Sequence, residues 1–526
     1  MKNLSFLILL LLGFTQISHS QSLESVDWGA FKELPEGTSY QQAVGFDADT
    51  YYFVRTNHKV RLNRLQLRLD AYSSLTNTQE ASNEILLPSI GGVQTQYEAL
   101  FYRENKFVLF SSAKDKNRKL IVLYVAYLNA DGSVKNKAKE IASIPLSNAS
   151  KDGFDIFLSK DEKTIFIEYH KTFKKYNADK FNILALDFNL KERFKTEFTL
   201  DAKYNNRELL IKQKSYNEDK FIFLTKVEDL NSKKSAKSKS YKFVVFGYNT
   251  TKKSVFDFPV NLSKFVVADA KYTVNKQGNI VVGGFMRGRS EKFANEKQGM
   301  FFKRYNPNTL KAIPDLDLKS AVLKFPREFL PEIQKPEYGE NKSFQYAYSV
   351  NSVEELDNGG YIILAEQKWE DGRVVIDPRT KEETGIAYYY YNNIMAGGID
   401  KKGKFSWVKI YPKKQSTTND NGYYSSYKVI VVKNKLKIFY NDNEKNLHAG
   451  ELKKLKEFTN NVRTQPKGKA GVYSIYWDGS YERDPMFSGK DNNVVLIPST
   501  LAPNSVEYSV GVTNGKEVKF ASFTLE

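Results

Sequence analysis

Residues Lys119–Leu128, with the sequence KLIVLYVAYL, carry apolar side chains on both faces of a predicted strand. A strand that is apolar on both faces is buried on both, between packed sheets. Lys220–Thr225 (KFIFLT) repeats the pattern, and Lys163–His170 (KTIFIEYH) adds the β-branched and aromatic content typical of strands. Asp131-Gly132 and Asn514-Gly515 are two of several tight-turn signals between such segments. The sequence therefore predicts an all-β fold.

The predicted strands come in groups of four, and the spacing of the groups indicates a repeat of about 55 residues in the first half of the chain. The groups begin near Tyr40, Tyr97, Phe154, Glu208, Phe265, Phe344 and Tyr423. Four short antiparallel strands per unit are typical of a β-propeller, here of seven or eight blades. The C-terminal part supplies three further strands, and Val26–Leu34 is expected to add the fourth and close the ring.

Other β-repeat architectures remain open at this point. An outer-membrane β-barrel also has many aromatic-rich strands, but each strand should alternate between an apolar outer face and a polar lumen face. Strands such as Lys119–Leu128 are apolar on both faces, which argues against that alternative. A parallel β-helix or a string of sandwich domains also remains possible, although no Pro/Gly/Ser-rich linker separates such domains.

The chain is expected to form one propeller domain, residues 21–526, with insertions near 231–240, 314–342 and 443–469. The first is a basic low-complexity hairpin tip, and the third is rich in lysine and contains the best helix candidate, Leu447–Phe458. In the second insertion, Pro314, Pro326, Pro331 and Pro336 are expected to prevent any regular element.

Residues 1–20 have the features of a secretory signal peptide. Lys2 gives a positive start, Leu4–Phe14 is mostly apolar, and Ser18-His19-Ser20 supplies a small-residue cleavage pattern. No later run approaches the roughly 18 apolar residues of a membrane span. We therefore expect an exported chain without a transmembrane anchor, located in the periplasm, at the outer membrane or outside the cell.

Composition narrows the possible functions. The chain has no cysteine, which excludes disulfides, Cys-ligated metals and a Cys nucleophile. A formal net charge of +18 attracts anions, which outside the cytoplasm are acidic glycans, lipid headgroups or acidic proteins. Nucleic acid is not an expected partner, because the predicted location is wrong and the lysines are spread over many turns.

Catalytic motifs are mostly missing. Gly398–Lys404 fits G-x-x-x-x-G-K, but a strand follows it where a phosphate loop needs Ser or Thr and a helix, so a hairpin is predicted. Asp161 and Asp478 resemble parts of sialidase Asp-box turns, but the flanking residues do not match. After export, three scattered histidines remain: His58 in a predicted turn, His170 at a strand end, and His448. No catalytic, ligand-binding or metal-binding residue and no cofactor is therefore assigned.

Two tyrosine clusters suggest aromatic platforms for sugars, Tyr388–Tyr391 and the group Tyr423, Tyr424 and Tyr427. Successive residues of a strand face opposite sides, so Tyr388–Tyr391 cannot form a single platform. Cross-strand packing is therefore the predicted role of this run.

The region 344–450 resembles an uncharacterised family of exported envelope proteins of Gram-negative bacteria. The segments that carry the resemblance are Tyr388–Ile394, Asp400–Trp407, Asn421–Tyr427, Phe439–Asn443 and Asn446-Leu447. The resemblance implies a blade-forming role for them, and no activity or site residue comes with it.

Two functions follow as hypotheses. The favoured one is a non-enzymatic propeller that acts as an interaction module, an accessory of an envelope or protein-secretion complex with a protein partner in the cell envelope. The alternative is a carbohydrate-active propeller that binds or cleaves an acidic glycan at its central cavity, based on the positive charge and the many tyrosines.

Overall fold

The computed structural model describes most of the chain from residue 23 to residue 525. The described residues are 23, 26–33, 38–59, 64–146, 153–159, 161–171, 180–199, 209–217, 219–229, 241–262, 265–288, 299–308, 311–312, 322–325, 348–376, 379, 383–447, 455–461, 464–487, 494–503 and 508–525. The predicted signal peptide and the basic tip 231–240 lie outside these residues.

The first four blades are simple four-stranded antiparallel meanders, preceded by β1 (Val26–Trp28) and β2 (Lys32–Glu33). Blade 1 contains β3 (Thr38–Phe46), β4 (Thr50–Lys59), β5 (Arg64–Ser73) and β6 (Gln79–Glu84). A short hairpin, β7 (Ser89–Ile90) and β8 (Val93–Gln94), precedes blade 2, which contains β9 (Gln96–Arg103), β10 (Lys106–Asp115), β11 (Leu120–Leu128) and β12 (Lys139–Pro145). Blade 3 contains β13 (Asp155–Leu158), β14 (Ile165–Lys171), β15 (Lys180–Leu186) and β16 (Glu192–Thr199). Blade 4 contains β17 (Leu209–Asn217), β18 (Lys220–Glu228), β19 (Tyr241–Asn249) and β20 (Ser254–Pro259).

The remaining blades carry additional strands. Blade 5 contains β21 (Phe265–Val274), β22 (Ile280–Gly288), β23 (Gly299–Asn306), β24 (Lys311–Ala312) and β25 (Val322–Lys324). Blade 6 contains β26 (Tyr348–Glu355), β27 (Tyr361–Ile376), β28 (Glu383–Ile399), β29 (Phe405–Tyr411) and β30 (Gln415–Thr418). Blade 7 contains β31 (Tyr427–Val432), β32 (Lys435–Asp442), β35 (Lys469–Tyr476) and β36 (Tyr481–Pro485), with a short helix α1 (Glu444–Leu447) after β32. Between β32 and β35 the chain returns to the sheet of blade 6, where β33 (Phe458–Asn461) pairs in parallel with β30 and β34 (Thr464–Lys467) pairs with β33. Blade 8 contains β37 (Val495–Leu496), a 3₁₀ turn (Pro498–Thr500), β38 (Ala502–Pro503), β39 (Tyr508–Thr513) and β40 (Glu517–Phe523).

Among the described residues, the hydrophobic core is divided into eight clusters, and each lies between two neighbouring blades. In β18, Ile222 joins the core shared with blade 5, whereas its neighbour Phe223 joins the core shared with blade 3. This explains why so many strands are apolar on both faces, as each sheet is covered on both sides. The eighth cluster joins Phe520 of blade 8 to Phe53 of blade 1, so the ring is closed. The predicted β-propeller is confirmed, with eight blades.

Blade 8 is completed from the opposite end of the chain. Its sheet runs β37, β39, β40 and then β1, with Val26 paired to Phe523 and Trp28 to Ala521. The strand predicted within Val26–Leu34 thus becomes the outer strand of the last blade. Because a sheet edge is paired across the two halves of the chain, blade 8 can be completed only when both are folded.

Three local predictions were wrong. The helix predicted for Leu447–Phe458 is wrong at its C-terminal end, because residues 455–457 are not helical and Phe458 begins β33, while residues 448–454 lie outside the described residues. Within the proline-containing segment 314–342, Val322–Lys324 still forms a strand, because it pairs with β23 at a position clear of the prolines. His58 lies in β4 and not in a turn, paired in register with Leu65 of β5.

Candidate functional site

The first strand of each blade is the innermost one, and around the central channel the first strand of blade 1 contacts that of blade 2, and the first strand of blade 5 contacts those of blades 4 and 6. Because the blades repeat one meander, all inner strands begin at the same face of the ring, which we call the upper face. The second strands end at this face. Residues at the start of an inner strand and at the end of a second strand therefore meet at the upper mouth of the channel.

Five inner strands, those of blades 1, 2, 4, 5 and 6, carry a one-residue bulge near the upper face. In blades 2, 4, 5 and 6 the inserted residues are Glu98, Lys212, Ala268 and Asn351. A bulge leaves its extra residue outside the ladder and changes the direction of its side chain. The repeated bulges thus position polar side chains at the channel mouth.

The residue after the bulge connects its blade to the next. Gln42 donates from Nε2 to the carbonyl of Leu100 at 3.2 Å. The Gln213 side chain makes two bonds to Tyr272, accepting from its N–H at 2.9 Å and donating to its carbonyl at 2.8 Å. Asp269 accepts from the Val350 N–H at 2.9 Å. These bonds fix adjacent inner strands to each other at the level of the site.

The mouth is acidic on the side of blades 2 and 3. Asp155 and Glu168 are paired directly across β13 and β14, and Lys214 of blade 4 contacts both carboxylates, the second at 2.5 Å. Like charges directly opposite on a sheet are unfavourable, so the ammonium of Lys214 is what makes this pair tolerable. Burial lowers the pKa of Lys214 to about 8, while the two carboxylates favour its charged form.

Glu98 is the bulged residue of β9 in blade 2. Its carboxylate accepts from the buried Ser112 hydroxyl at 2.5 Å. Burial raises the pKa of Glu98 above its ordinary value, and the bond from Ser112 partly offsets this effect. Glu98 is therefore protonated more readily than an ordinary surface glutamate.

The mouth is basic on the side of blades 4, 5 and 6. We call the residues there the basic wall; they are Lys212, Lys226, Lys271, Arg287 and Lys368. Burial and the nearby charges of Lys212 and Arg287 lower the pKa of Lys226, and burial is the larger cause. Lys271 is affected in the same way, by burial and then by Lys368 and Lys212, while Asp269 opposes both shifts. Burial also lowers the pKa of Arg287.

The positive charge of the basic wall is only partly balanced by nearby carboxylates. Among the described residues, none of its five members forms a salt bridge, and Asp269 is the carboxylate that acts on Lys226 and Lys271. Asp269 is itself bonded to the Val350 N–H. Cations brought together with one counter-charge attract an anion from solution.

The segment 419–426, between β30 and β31, lies on the opposite side of the channel. The Tyr40 N–H of blade 1 donates to the Tyr423 hydroxyl at 2.9 Å, and Tyr423 and Tyr424 pack on the core between blades 8 and 1. Tyr423 and Tyr424 of the second tyrosine group therefore attach this segment to blade 1, whereas Tyr427 packs in the core between blades 6 and 7.

A fully buried ion pair anchors this segment. Lys413 Nζ lies 2.8 Å from Glu366 Oε1 and also donates to the Gln415 side chain and the Tyr391 carbonyl, each at 2.8 Å. Ser426 donates to the other Glu366 oxygen at 2.7 Å. A buried pair of this kind is tolerated because its remaining polar atoms are also bonded.

Above the mouth, the hairpin of β27 and β28 extends well beyond the other strands of blade 6. Trp369 and Tyr390 stack across the strands, with ring centroids 4.8 Å apart and planes inclined at 14°. Tyr388 lies on the same face, and Tyr389 lies on the other, where its hydroxyl donates to Asn421 at 2.7 Å. The predicted cross-strand packing of Tyr388–Tyr391 is confirmed.

The remaining motifs occupy ordinary turns. Gly398–Lys404 is the β28–β29 hairpin, where Asp400 accepts from the Lys402 and Lys404 N–H groups and Gly403 has a φ of 86°. Asp161 and Asp478 cap two further turns. His170 lies in β14, one residue before its end, and His448 lies outside the described residues. Within the described part of the chain, no group of three or more His, Asp or Glu side chains could hold a metal ion.

Comparison with known proteins adds little about identity. No protein-family model matches the chain, and no curated protein matches it. Similar solved structures include the β-propeller domain of the trilobed protease of Pyrococcus furiosus, at 10% identity and a TM-score of 0.32, covering 85% of this chain and 98% of that one. The α-L-arabinanase of Penicillium chrysogenum has 9% identity and a TM-score of 0.31, covering 75% and 98%. The α-L-arabinofuranosidase of Fusarium graminearum has 11% identity and a TM-score of 0.33, covering 70% and 97%.

These findings overturn the favoured functional prediction. The similar propellers are enzymes, or the propeller domain of one, which contradicts the prediction of a non-enzymatic interaction module. Resemblance at these identities and TM-scores carries no argument for a substrate or a catalytic residue. Within the described ranges, no helix combines the length and apolar content needed to cross a bilayer.

Proposed function

We propose that this chain is a carbohydrate-active propeller that binds an acidic glycan at the upper mouth of its channel. The observation that supports the proposal is the basic wall, in which five cationic side chains from three blades converge near one carboxylate, Asp269. Such a wall favours a ligand that carries repeated negative charges, as an acidic polysaccharide does.

The rest of the mouth suits such a ligand. The segment 419–426 contacts blade 1, which lies opposite blade 5 in the ring of eight and therefore away from the basic wall. The acidic carboxylates near Lys214 repel a polyanion and would direct its charged groups towards blades 4–6. The bonds made by Gln213 and Asp269 hold this geometry before any ligand arrives.

The predicted export of the chain agrees with this proposal, since acidic polysaccharides are found outside the cytoplasm. Export and location remain predictions from residues 1–20, as does the family resemblance of the region 344–450.

The proposal is tested by calorimetric titration of the chain with polygalacturonate and with its fully methyl-esterified form. We expect binding to the charged polymer that weakens as salt rises, and little binding to the ester. The variant Lys271→Gln should bind about 5-fold more weakly, because one screened charge contact is lost. Lys195→Gln, an exposed lysine on the outer strand β16, is the matched control and should bind like the unaltered chain. Equal binding of both polymers, or equal losses in both variants, would refute the proposal.

A further inference from the structure

A cavity of about 230 Å³ lies at the lower end of the channel. It is lined by the last residues of the inner strands of blades 1, 2 and 3 and, in blade 8, by β38 and the start of β39. Inner strands begin at the upper face, so their last residues lie at the lower face. The cavity is therefore separate from the basic wall, none of whose five residues lines it.

The size and the lining of this lower cavity suit a small molecule with an apolar body. Pockets for drug-sized ligands measure roughly 300–1,000 Å³, so the occupant of this cavity is smaller than such a ligand. Most of the lining residues are apolar, and they include Ala43, Phe46, Phe53, Phe101, Leu158 and Pro503. Transfer of an apolar group from water into such surroundings is favourable.

The polar side chains of the lining differ in how far the protein engages them. Three of them are already hydrogen-bonded within the protein, and these are Gln42, Tyr51 and Tyr52. Ser509 differs, because it is 1% exposed and its hydroxyl has no hydrogen-bond partner among the described residues. A buried hydroxyl without a partner in the wall of a cavity is available to a bound ligand.

Arg103 brings a positive charge to the cavity. Its guanidinium is held by the Tyr102 carbonyl, to which Nη1 donates at 2.8 Å, and by the Phe46 ring, whose centroid lies 5.4 Å from Cζ. Gly45 leaves room for this arrangement, because a Cβ at that position would lie 2.4 Å from Nη1. The Arg103 side chain is only 19% exposed, so solvent screens its charge less than that of a surface arginine.

A carboxylate of the protein already pairs with this guanidinium. Nη2 of Arg103 donates to Oε2 of Glu162, which lies in the turn between β13 and β14. The Glu162 side chain is 46% exposed, so it can turn into solvent at little cost. Because the planar guanidinium presents N–H donors in the geometry that carboxylates fit, Glu162 marks the position that the carboxylate of a ligand would take.

We infer that the lower cavity binds a small monocarboxylate with an apolar body, and that the ligand carboxylate replaces Glu162 on Arg103. The apolar body lies among the apolar lining residues. The inference goes beyond the proposed glycan binding and is independent of it, since the two sites lie at opposite faces of the ring.

Calorimetric titration of the chain with 3-phenylpropionate and with its uncharged amide, 3-phenylpropanamide, tests the inference. We expect the acid to bind at least about 10-fold more tightly than the amide, because only the acid forms a charge-assisted pair with Arg103. Saturating polygalacturonate should leave the binding of the acid unchanged. No binding of the acid, or equal binding of acid and amide, would refute the inference. Displacement of the acid by polygalacturonate would place the acid at the basic wall, which refutes the inference and supports the proposed function.

Two variants should change the affinity for 3-phenylpropionate in opposite directions. Arg103→Gln removes the partner of the ligand carboxylate and should weaken binding by about 10-fold. Glu162→Gln removes the competing carboxylate and should strengthen binding by about 3-fold.

The matched controls are Arg118→Gln and Glu140→Gln, which break an exposed ion pair of blade 2 and should leave the affinity unchanged. A thermal unfolding curve like that of the unaltered chain confirms that each variant is folded. If Arg103→Gln does not fold, Glu162→Gln decides alone, and an affinity that is unchanged or weaker in Glu162→Gln would refute the inference.

Discussion

Individual residues at the upper face determine how charge is placed around the channel. The bulges position Glu98 and Lys212, and the residues that follow them, including Gln213, fasten each inner strand to the next. A polar side chain at or next to a bulge of an inner strand therefore has two effects: it holds neighbouring inner strands in place, and it contributes to the charge at the channel mouth.

Lys214 illustrates the structural consequence. Replacing it with Met leaves the buried Glu168 and its cross-strand neighbour Asp155 without their shared ammonium. Removing one partner of a buried ion pair costs roughly 3–5 kcal/mol, and the partial exposure of Asp155 places the expected loss near the lower end. Denaturant unfolding measures the loss. Lys195→Met is the exposed control, and adding Glu168→Gln to Lys214→Met should recover part of the stability; a double variant no more stable than Lys214→Met would contradict this account.

The two hydrogen bonds between the Gln213 side chain and the Tyr272 backbone give a second prediction. Gln213→Leu removes two hydrogen bonds to the Tyr272 backbone and leaves its N–H and carbonyl without that partner. We expect a loss of about 1–3 kcal/mol in the free energy of unfolding, together with faster amide exchange at Tyr272. Gln96→Leu, an exposed residue of β9, is the control. Unchanged amide exchange at Tyr272 would show that these two hydrogen bonds do not hold the inner strands β17 and β21 together.

At the scale of elements, the segment between β30 and β31 joins distant blades at the upper face. It is attached at one end by the buried pair of Glu366 and Lys413 and at the other by Tyr423, which reaches blade 1. This junction at the upper face therefore depends on a contact between residues 383 positions apart in the chain.

Tyr423→Phe tests this attachment. The substitution removes the acceptor of the Tyr40 N–H while keeping the ring, so we expect a loss of about 1 kcal/mol. Limited proteolysis should cut the segment 419–426 faster, because local opening becomes easier. Tyr388→Phe is the matched control, since no hydrogen bond of the Tyr388 hydroxyl is described. Identical proteolysis of the two variants would argue against the attachment.

At the scale of the whole molecule, the closed ring joins the two ends of the described chain in blade 8. Trp28 of β1 packs on Phe487 of blade 7 with centroids 4.6 Å apart, and the Lys519 ammonium lies 3.9 Å from the centroid of its ring. The attachment of the outer strand β1 and the closure of the ring therefore depend partly on the side chain of Trp28.

Trp28→Ala is expected to lower the free energy of unfolding by about 2–4 kcal/mol, because the packed ring and its cation contact are both lost. Thermal unfolding followed by circular dichroism measures the change. Trp477→Ala, with a side chain 59% exposed, is the control and should have a small effect. Equal shifts in the two variants would mean that β1 contributes little to closure.

The architecture could be predicted from the sequence to a large extent, and the site could not. Two-sided apolar strands such as Lys119–Leu128 require a sheet covered on both faces, and groups of four such strands predict blades. The basic wall depends on a one-residue bulge at Lys212 and on the packing of blade 4 against blade 5, which brings Lys226 near Arg287. Neither the bulge at Lys212 nor the proximity of Lys226 to Arg287 can be recognised in the sequence, because each of these lysines by itself looks like an ordinary solvent-exposed lysine.

The most direct test of the central claim is a crystal structure of the chain soaked with a short oligogalacturonate. The account predicts that a uronate carboxylate lies within hydrogen-bond distance of Lys271 or Arg287. An oligogalacturonate bound on the outer strands of the blades, or on the lower face of the ring, would contradict it.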